Sequence, residues 1–173
     1  MKVNYINPQN IFGETFLDFD DNYLKQLIAS IELIRRGNIN GRAFSNLEFG
    51  WQSNFIPDSG PFEKFILTIE NNFPITKKLK PFDNQISLHL RHNTKEPLAH
   101  LDDAQTQYNL IFYLKGESLV NNGTGFYHNN ELTAHISFVE NRAIFFKGNE
   151  IWHTNLQSFG PSSPRYTLLI FYE

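Results

Sequence analysis

The chain has 173 residues, of which 40% are hydrophobic and 17 are Phe, and we therefore expect residues 1–173 to fold as a single domain with a sizeable core. The absence of cysteine excludes disulfides, thiolate catalysis and sulfur-ligated clusters, so any metal site must use histidine and carboxylate ligands. The formal net charge of -3, with scattered basic residues, disfavours duplex nucleic acid as a partner.

Two helical patterns occupy the first half of the chain. The first has Asp20 or Asp21 as its N-cap, repeats apolar residues at helical spacing and ends at Gly37. The second begins near residues 58–61 and ends before Pro74. We expect residues 1–80 to form a helical part that packs on the rest of the domain.

The N-terminus has no apolar run followed by a small-residue cleavage site. No later stretch approaches 18 uninterrupted apolar residues, the length typical of a membrane-spanning helix. These patterns predict a soluble, cytoplasmic protein with no membrane partner.

After Pro81 the apolar period changes to two. Ile86, Leu88 and Leu90 alternate with polar residues, which is typical of a strand with two different faces. Turn-forming residues separate further predicted strands at 108–114, 125–127, 134–139, 143–146, 151–155 and 165–172. Because no helix-length segment interrupts them, we expect residues 81–173 to form an antiparallel double-sheet jelly roll or barrel, and the fold class to be mainly β with N-terminal helices.

His100 and Asp102 are candidate metal ligands, because side chains two residues apart on an extended segment project to the same face. His153, on a predicted strand, supplies a third. Two histidines and one carboxylate leave open positions on an ion, an arrangement that suits a non-haem Fe(II) oxygenase. The alternative for His100 is a histidine of a surface loop.

Arg165 and Thr167 open the last predicted strand and share one of its faces. A planar guanidinium binds a carboxylate bidentately, and a neighbouring hydroxyl adds a further donor. We interpret the pair as a binding site for a carboxylate. The alternative is an arginine that pairs with an acidic neighbour at the rim of the barrel.

These residues occur in an order that resembles the prolyl-4-hydroxylase-like branch of the 2-oxoglutarate/Fe(II) oxygenase superfamily. The resemblance spans roughly residues 84–173 and comprises His100-x-Asp102, residues 109–114, Gly123-Thr124-Gly125-Phe126, Gly148, His153 and Arg165-x-Thr167. It implies that His100, Asp102 and His153 bind Fe(II), and that Arg165 and Thr167 bind the C5 carboxylate of 2-oxoglutarate. It also implies a double-stranded β-helix with helices packed on its major sheet.

The resemblance further implies a tyrosine or similar donor near the co-substrate on an early strand, for which Tyr108 and His89 are candidates. Residues 45–53, Ser-Asn-Leu-Glu-Phe-Gly-Trp-Gln-Ser, are similar to a segment in oxygenases of this superfamily from phages and marine bacteria. We expect this segment to be a loop whose Trp51 packs on the barrel. Arg91 is a candidate contact for a substrate anion, and His128 a candidate for the mouth of the site.

The predicted function is therefore a dioxygenase that uses Fe(II), 2-oxoglutarate and O2 to oxidise a C–H bond of a small-molecule or peptidyl substrate, releasing succinate and CO2. A cupin-like metal enzyme is an alternative, but Asp103-Ala104-Gln105-Thr106 lacks the glutamate that cupins place after their first histidines. A second alternative is a non-catalytic jelly-roll binding module. Neither the substrate nor the oligomeric state follows from these patterns.

Overall fold

A computed structural model of the chain describes residues 4–7, 12–37, 41–43, 48–53, 56–92, 99–118, 122–156 and 165–173. Two α-helices, one 3-10 helix and eleven strands lie in these ranges. The fold is mainly β, and the strand pairs are antiparallel. No helix in the described ranges is both long enough and apolar enough to cross a membrane.

Helix α1, Asp21–Arg36, begins and ends where the sequence predicts. The Asp20 side chain accepts a hydrogen bond from the Tyr23 backbone N–H at 2.9 Å and caps the first turn. The basic residues in the last turn, Arg35 and Arg36, interact favourably with the negative end of the helix dipole. Its buried residues, Tyr23, Leu27 and Ile31, recur every four positions and form one stripe.

Helix α2, Pro61–Asn72, has proline at its first position, where the missing N–H has no partner to lose. Gly60, with φ of 63°, precedes it. The helix buries Phe62, Phe65 and Ile69 and ends before Pro74, as predicted. A 3-10 helix, Pro74–Lys78, then leads into the sheet.

The strands form two sheets, and their bounds are β1 (Asn4–Asn7), β2 (Phe12–Phe16), β3 (Gly41–Ala43), β4 (Glu48–Ser53), β5 (Pro81–His92), β6 (Tyr108–Lys115), β7 (Gly123–His128), β8 (Glu131–Ser137), β9 (Arg142–Phe146), β10 (Trp152–Leu156) and β11 (Arg165–Tyr172). The large sheet has the order β1-β2-β9-β6-β11-β5-β4-β3, and the small sheet has the order β10-β7-β8. Asn129 and Asn130 both have positive φ, as a tight hairpin turn between β7 and β8 requires.

Each face of the large sheet covers a separate core cluster. On β6 and β11, the even-numbered residues pack with α1 and α2, as Phe112 does with Phe65 at a ring distance of 5.2 Å. On the other face, Ile111 and Tyr113 of β6 pack with Phe126 of β7 and other residues of the small sheet. The second cluster is the interior where the candidate site residues meet.

The sequence did not predict the four strands before residue 61. β1 to β4 contain glycine, asparagine and glutamate and have weak apolar alternation. The expected loop at residues 45–53 is wrong for Glu48–Ser53, which is β4 and pairs with β5. The Trp51 side chain and residues 45–47 lie outside what the structure describes.

Candidate metal and carboxylate site

His100 and His153 are joined through their backbones. The His100 N–H donates to the His153 carbonyl at 3.0 Å, and the His153 N–H donates to the His100 carbonyl at 2.9 Å. Residues paired in this way project their side chains to the same face of the ladder. The two imidazole ring centres consequently lie 4.7 Å apart.

Asp102 completes the group. Its Oδ1 lies 4.0 Å from His100 Nε2, and its Oδ2 lies 3.7 Å from His153 Nε2. All three ligand atoms lie within 4.8 Å of one another, and no other group of three such residues is found in the described ranges. The structure thus brings together the three residues that the sequence singled out as metal ligands.

The surroundings of His153 favour the neutral tautomer that can bind a metal ion. Its ring is buried, and its Nδ1 lies 2.8 Å from the Ile151 carbonyl, which can only accept, so the proton is on Nδ1 and the Nε2 lone pair faces Asp102. Burial lowers the pKa of His153, against the opposing effect of the Asp102 charge. The ring is therefore neutral at neutral pH, as metal ligation requires.

Arg165 lies at the start of β11 with only 2% of its surface exposed. Its guanidinium donates to the amide oxygens of Asn122 and Asn155, at 3.0 and 3.2 Å. The guanidinium also lies over the rings of Phe138 and Tyr113, and its Cζ atom is 4.7 Å and 5.5 Å, respectively, from their ring centres. These contacts fix the orientation of a buried cation.

Thr167 is buried two residues after Arg165 and lies opposite Tyr113 of β6 in the sheet. Residues i and i+2 of a strand share a face, so Thr167 and Arg165 both project into the interior between the sheets. The role of the two residues as a carboxylate site stays a prediction.

The structure does not bring Tyr108 to the site. Tyr108 begins β6 and packs with the helix-side cluster, where its ring stacks on Phe145 at 5.2 Å. The tyrosine of β6 that faces the interior is Tyr113, whose hydroxyl lies 2.7 Å from Thr124 Oγ1. Desolvation raises the pKa of the buried Tyr113, so its hydroxyl keeps its proton and can donate. Strand alternation in residues 108–114 was the signal that could have selected it.

Three further residues that the sequence named have less defined positions. The backbone of His89 pairs with that of Arg165, and the backbone of Arg91 pairs with that of Phe49, while both side chains lie outside the described part. His128 is exposed at the end of β7. The roles proposed for them stay predictions: His89 as a donor near the co-substrate, Arg91 as a contact for a substrate anion, and His128 at the mouth of the site.

Solved structures of oxygenases have a similar fold. A prolyl-4-hydroxylase from Pseudomonas putida gives a TM-score of 0.63 at 12% identity, with 95% of this chain and 92% of that chain covered. A prolyl hydroxylase from Trichoplax adhaerens, solved with a hypoxia inducible factor peptide fragment, gives 0.68 at 9% identity, with 94% and 83% covered. The non-heme alpha ketoglutarate dependent epimerase SnoN from nogalamycin biosynthesis gives 0.66 at 12% identity, with 95% and 78% covered.

The chain has the prolyl-4-hydroxylase fold. This likeness concerns the fold, and it agrees with the resemblance that the sequence indicated. No protein-family model and no curated protein matches the sequence. The chemistry of this chain therefore depends on the side chains that the fold brings together.

Proposed function

We propose that this protein is an Fe(II)- and 2-oxoglutarate-dependent dioxygenase that oxidises a C–H bond of a small-molecule or peptidyl substrate. In this proposal the two sheets form a double-stranded β-helix, and residues 1–173 act as one domain. The observation that supports the proposal most is that the metal-ligand group includes His153 of β10, and that the buried Arg165 donates to Asn155, two residues further along the same strand.

The three candidate ligands fit a single Fe(II) ion. With metal–ligand bonds of about 2.1 Å, one ion can contact donors up to about 4.2 Å apart. The distances from Asp102 to the two histidines, 4.0 and 3.7 Å, lie within this limit. All three ligand atoms lie within 4.8 Å of one another, so side-chain shifts of less than about 1 Å would bring the whole set onto one ion. Two imidazoles and one carboxylate are also the donor set that suits non-haem Fe(II) with open positions. His100, Asp102 and His153 would hold the ion.

Arg165 fits the distal carboxylate of 2-oxoglutarate. Asn155, which accepts from Arg165, lies two residues after His153 on β10, and such residues are separated by about 7 Å along a strand. A five-carbon diacid is long enough to contact the metal with one end and the guanidinium with the other. A buried arginine also binds a carboxylate more tightly than an exposed one, because water screens the pair less.

Two hydroxyl groups complete the proposed carboxylate site. Thr167 lies on the same face of β11 as Arg165, and the Tyr113 ring lies beneath the guanidinium. Both hydroxyls can donate to an oxygen that Arg165 binds. We propose for Tyr113 the donor role for which Tyr108 and His89 were the sequence candidates.

When bound, Fe(II) with 2-oxoglutarate and O2 supplies the oxidation, in which one oxygen atom enters a C–H bond and the other enters succinate as CO2 is released. The protein's own residues hold and orient these partners. The Ile151 carbonyl keeps His153 in the tautomer that ligates. Arg165 orients the oxo acid, and the aromatic residues of the inner cluster, Tyr113, Phe126, Phe138 and Phe146, exclude water around it.

The binding-module alternative is tested by one spectrum. Anaerobic addition of Fe(II) and 2-oxoglutarate should produce a weak visible charge-transfer band that neither component produces alone. A protein that folds normally and develops no band would contradict the proposal. The cupin-like alternative predicts metal binding without any effect of 2-oxoglutarate, so omission of the oxo acid separates the two enzyme classes.

A further inference from the structure

We propose that Asn109 is a positioning residue for the metal site, which holds the Asp102 carboxylate in the orientation that ligates. The inference rests on the proposed function. Asn109 Nδ2 donates to Asp102 Oδ2 at 3.1 Å. The amide therefore occupies Oδ2 and leaves Oδ1, the oxygen near His100, without an amide donor. The lone pairs of Oδ1 are then freer than those of Oδ2 to bind a metal ion.

Asn109 lies on an inner strand of the large sheet. It is the second residue of β6 and is 2% exposed. Its backbone is paired on both sides, with Phe146 of β9 and with Phe171 of β11. An amide mounted at such a position can hold a partner at a fixed point, whereas one on a loop cannot.

The orientation of the Asn109 amide follows from chemistry. An ionised carboxylate can only accept hydrogen bonds, so the NH2 group must face Asp102 and Oδ1 must face away. Asn109 Oδ1 is buried and has no hydrogen-bond partner among the residues that the structure describes. A buried acceptor without a hydrogen-bond partner destabilises the fold. The next residue on this face of β6, Ile111, is apolar. An apolar residue would therefore suit packing better than Asn109, so we infer that the amide serves Asp102.

Gly148 also contacts Asp102 and limits the positions that its carboxylate can take. The Asp102 N–H donates to the Gly148 carbonyl at 3.0 Å. A Cβ at position 148 would overlap Asp102 Oδ2, so only glycine leaves room for the carboxylate there. With Gly148 and Asn109 both contacting it, Asp102 has little freedom to rotate. Removal of the Asn109 donor should release that rotation and weaken the metal site by about 10- to 100-fold, as is typical for groups that orient ligands.

The experiment measures Mn(II) affinity of the full chain without oxo acid, by the electron paramagnetic resonance signal of free Mn(II). Asn109→Leu should lower the affinity by about 10- to 100-fold and leave the unfolding temperature of the metal-free protein unchanged or higher. Asn109→Thr, which restores a donor on a strand-favouring side chain, should recover part of the affinity. Asn72→Ala, which removes an amide at the end of α2, is the matched control and should bind Mn(II) like the wild type.

Two results would overturn the inference in different ways. Wild-type affinity in Asn109→Leu, together with weak binding in Asp102→Ala, would refute the positioning role and leave the metal site intact. Wild-type affinity in Asp102→Ala would refute the metal site itself, and with it the proposed function. If Asn109→Leu unfolds at a lower temperature and Asn109→Thr recovers no affinity, Asn109 has a packing role and the inference is wrong.

Discussion

His100 and His153 exchange two backbone hydrogen bonds, yet one side chain is exposed and the other is buried. The two proposed ligands are therefore held by the same short ladder but differ in their environments. His100 lies in the segment before β6, whereas the His153 ring packs against the Phe146 ring, with the two ring centres 4.7 Å apart. Replacement of either histidine removes one proposed metal ligand, but the free energy of unfolding should change by different amounts at the two positions.

Replacement of either histidine by alanine should abolish 2-oxoglutarate-dependent succinate formation. His100→Ala should change the free energy of unfolding by less than about 0.5 kcal/mol, because an exposed ring is lost. His153→Ala should lower it by about 1–3 kcal/mol, because a buried ring and its bond to Ile151 are lost. Urea unfolding of the metal-free proteins measures this difference. Full succinate formation in either variant would contradict the ligand assignment.

Arg165→Ala should raise the 2-oxoglutarate concentration needed for half-maximal turnover by tens to thousands of fold. Truncation of one side of a buried charge-assisted pair costs about 2–5 kcal/mol. Arg165→Lys keeps the charge but loses the planar fork that contacts Asn122 and Asn155, so it should rescue only part of the affinity. An unchanged 2-oxoglutarate requirement in Arg165→Ala would show that the oxo acid binds elsewhere.

Tyr113→Phe and Tyr108→Phe should behave differently, although the two residues share a strand. Loss of the Tyr113 hydroxyl removes one donor, worth about 1–1.5 kcal/mol, and should raise the 2-oxoglutarate requirement by roughly five- to fifteen-fold. Tyr108→Phe should leave that requirement unchanged, because Tyr108 stacks on Phe145 on the helix side of the sheet. Steady-state titration of 2-oxoglutarate compares them, and the opposite ranking would refute the assignment to Tyr113.

Glu32 of α1 should make stability depend on pH in the acidic range. Hydrogen bonding to Arg35 lowers the pKa of Glu32 below its ordinary value of 4.5, and a bond from the Tyr166 hydroxyl lowers it further. A lowered pKa in the folded state means that the stabilisation is complete above pH 4.5 and is lost as the pH falls through the folded-state value.

Glu32→Gln should therefore be less stable than the wild type near pH 7 and approach it near pH 3, as measured by urea unfolding at each pH. Glu131→Gln, at an exposed position of β8, is the control and should follow the wild-type profile. Equal pH profiles for Glu32→Gln and the wild type would show that the contact between α1 and β11 does not depend on the Glu32 charge.

The sequence alone determined the features that depend on local pattern. The two helices could be predicted from their apolar repeats, from the Asp20 cap of α1 and from Pro61 at the start of α2. Local features are sufficient to predict a helix because its hydrogen bonds and caps form between residues close in the chain. The strands from β5 onward were also predicted, within a few residues at their ends. The spacing of His100, Asp102 and His153 also predicted the group that the structure brings together.

Only the tertiary structure decided the contacts between distant segments. β1 to β4 lack a strong pattern, and they are strands because partners in the sheet complete their hydrogen bonds. Strand alternation placed Tyr108 and Tyr113 on opposite faces, but only the packing of α1 and α2 shows which face is the interior. Likewise, Asn109 and Gly148 contact Asp102 only because β6 and the turn before β10 meet there, and no local pattern specifies such a meeting.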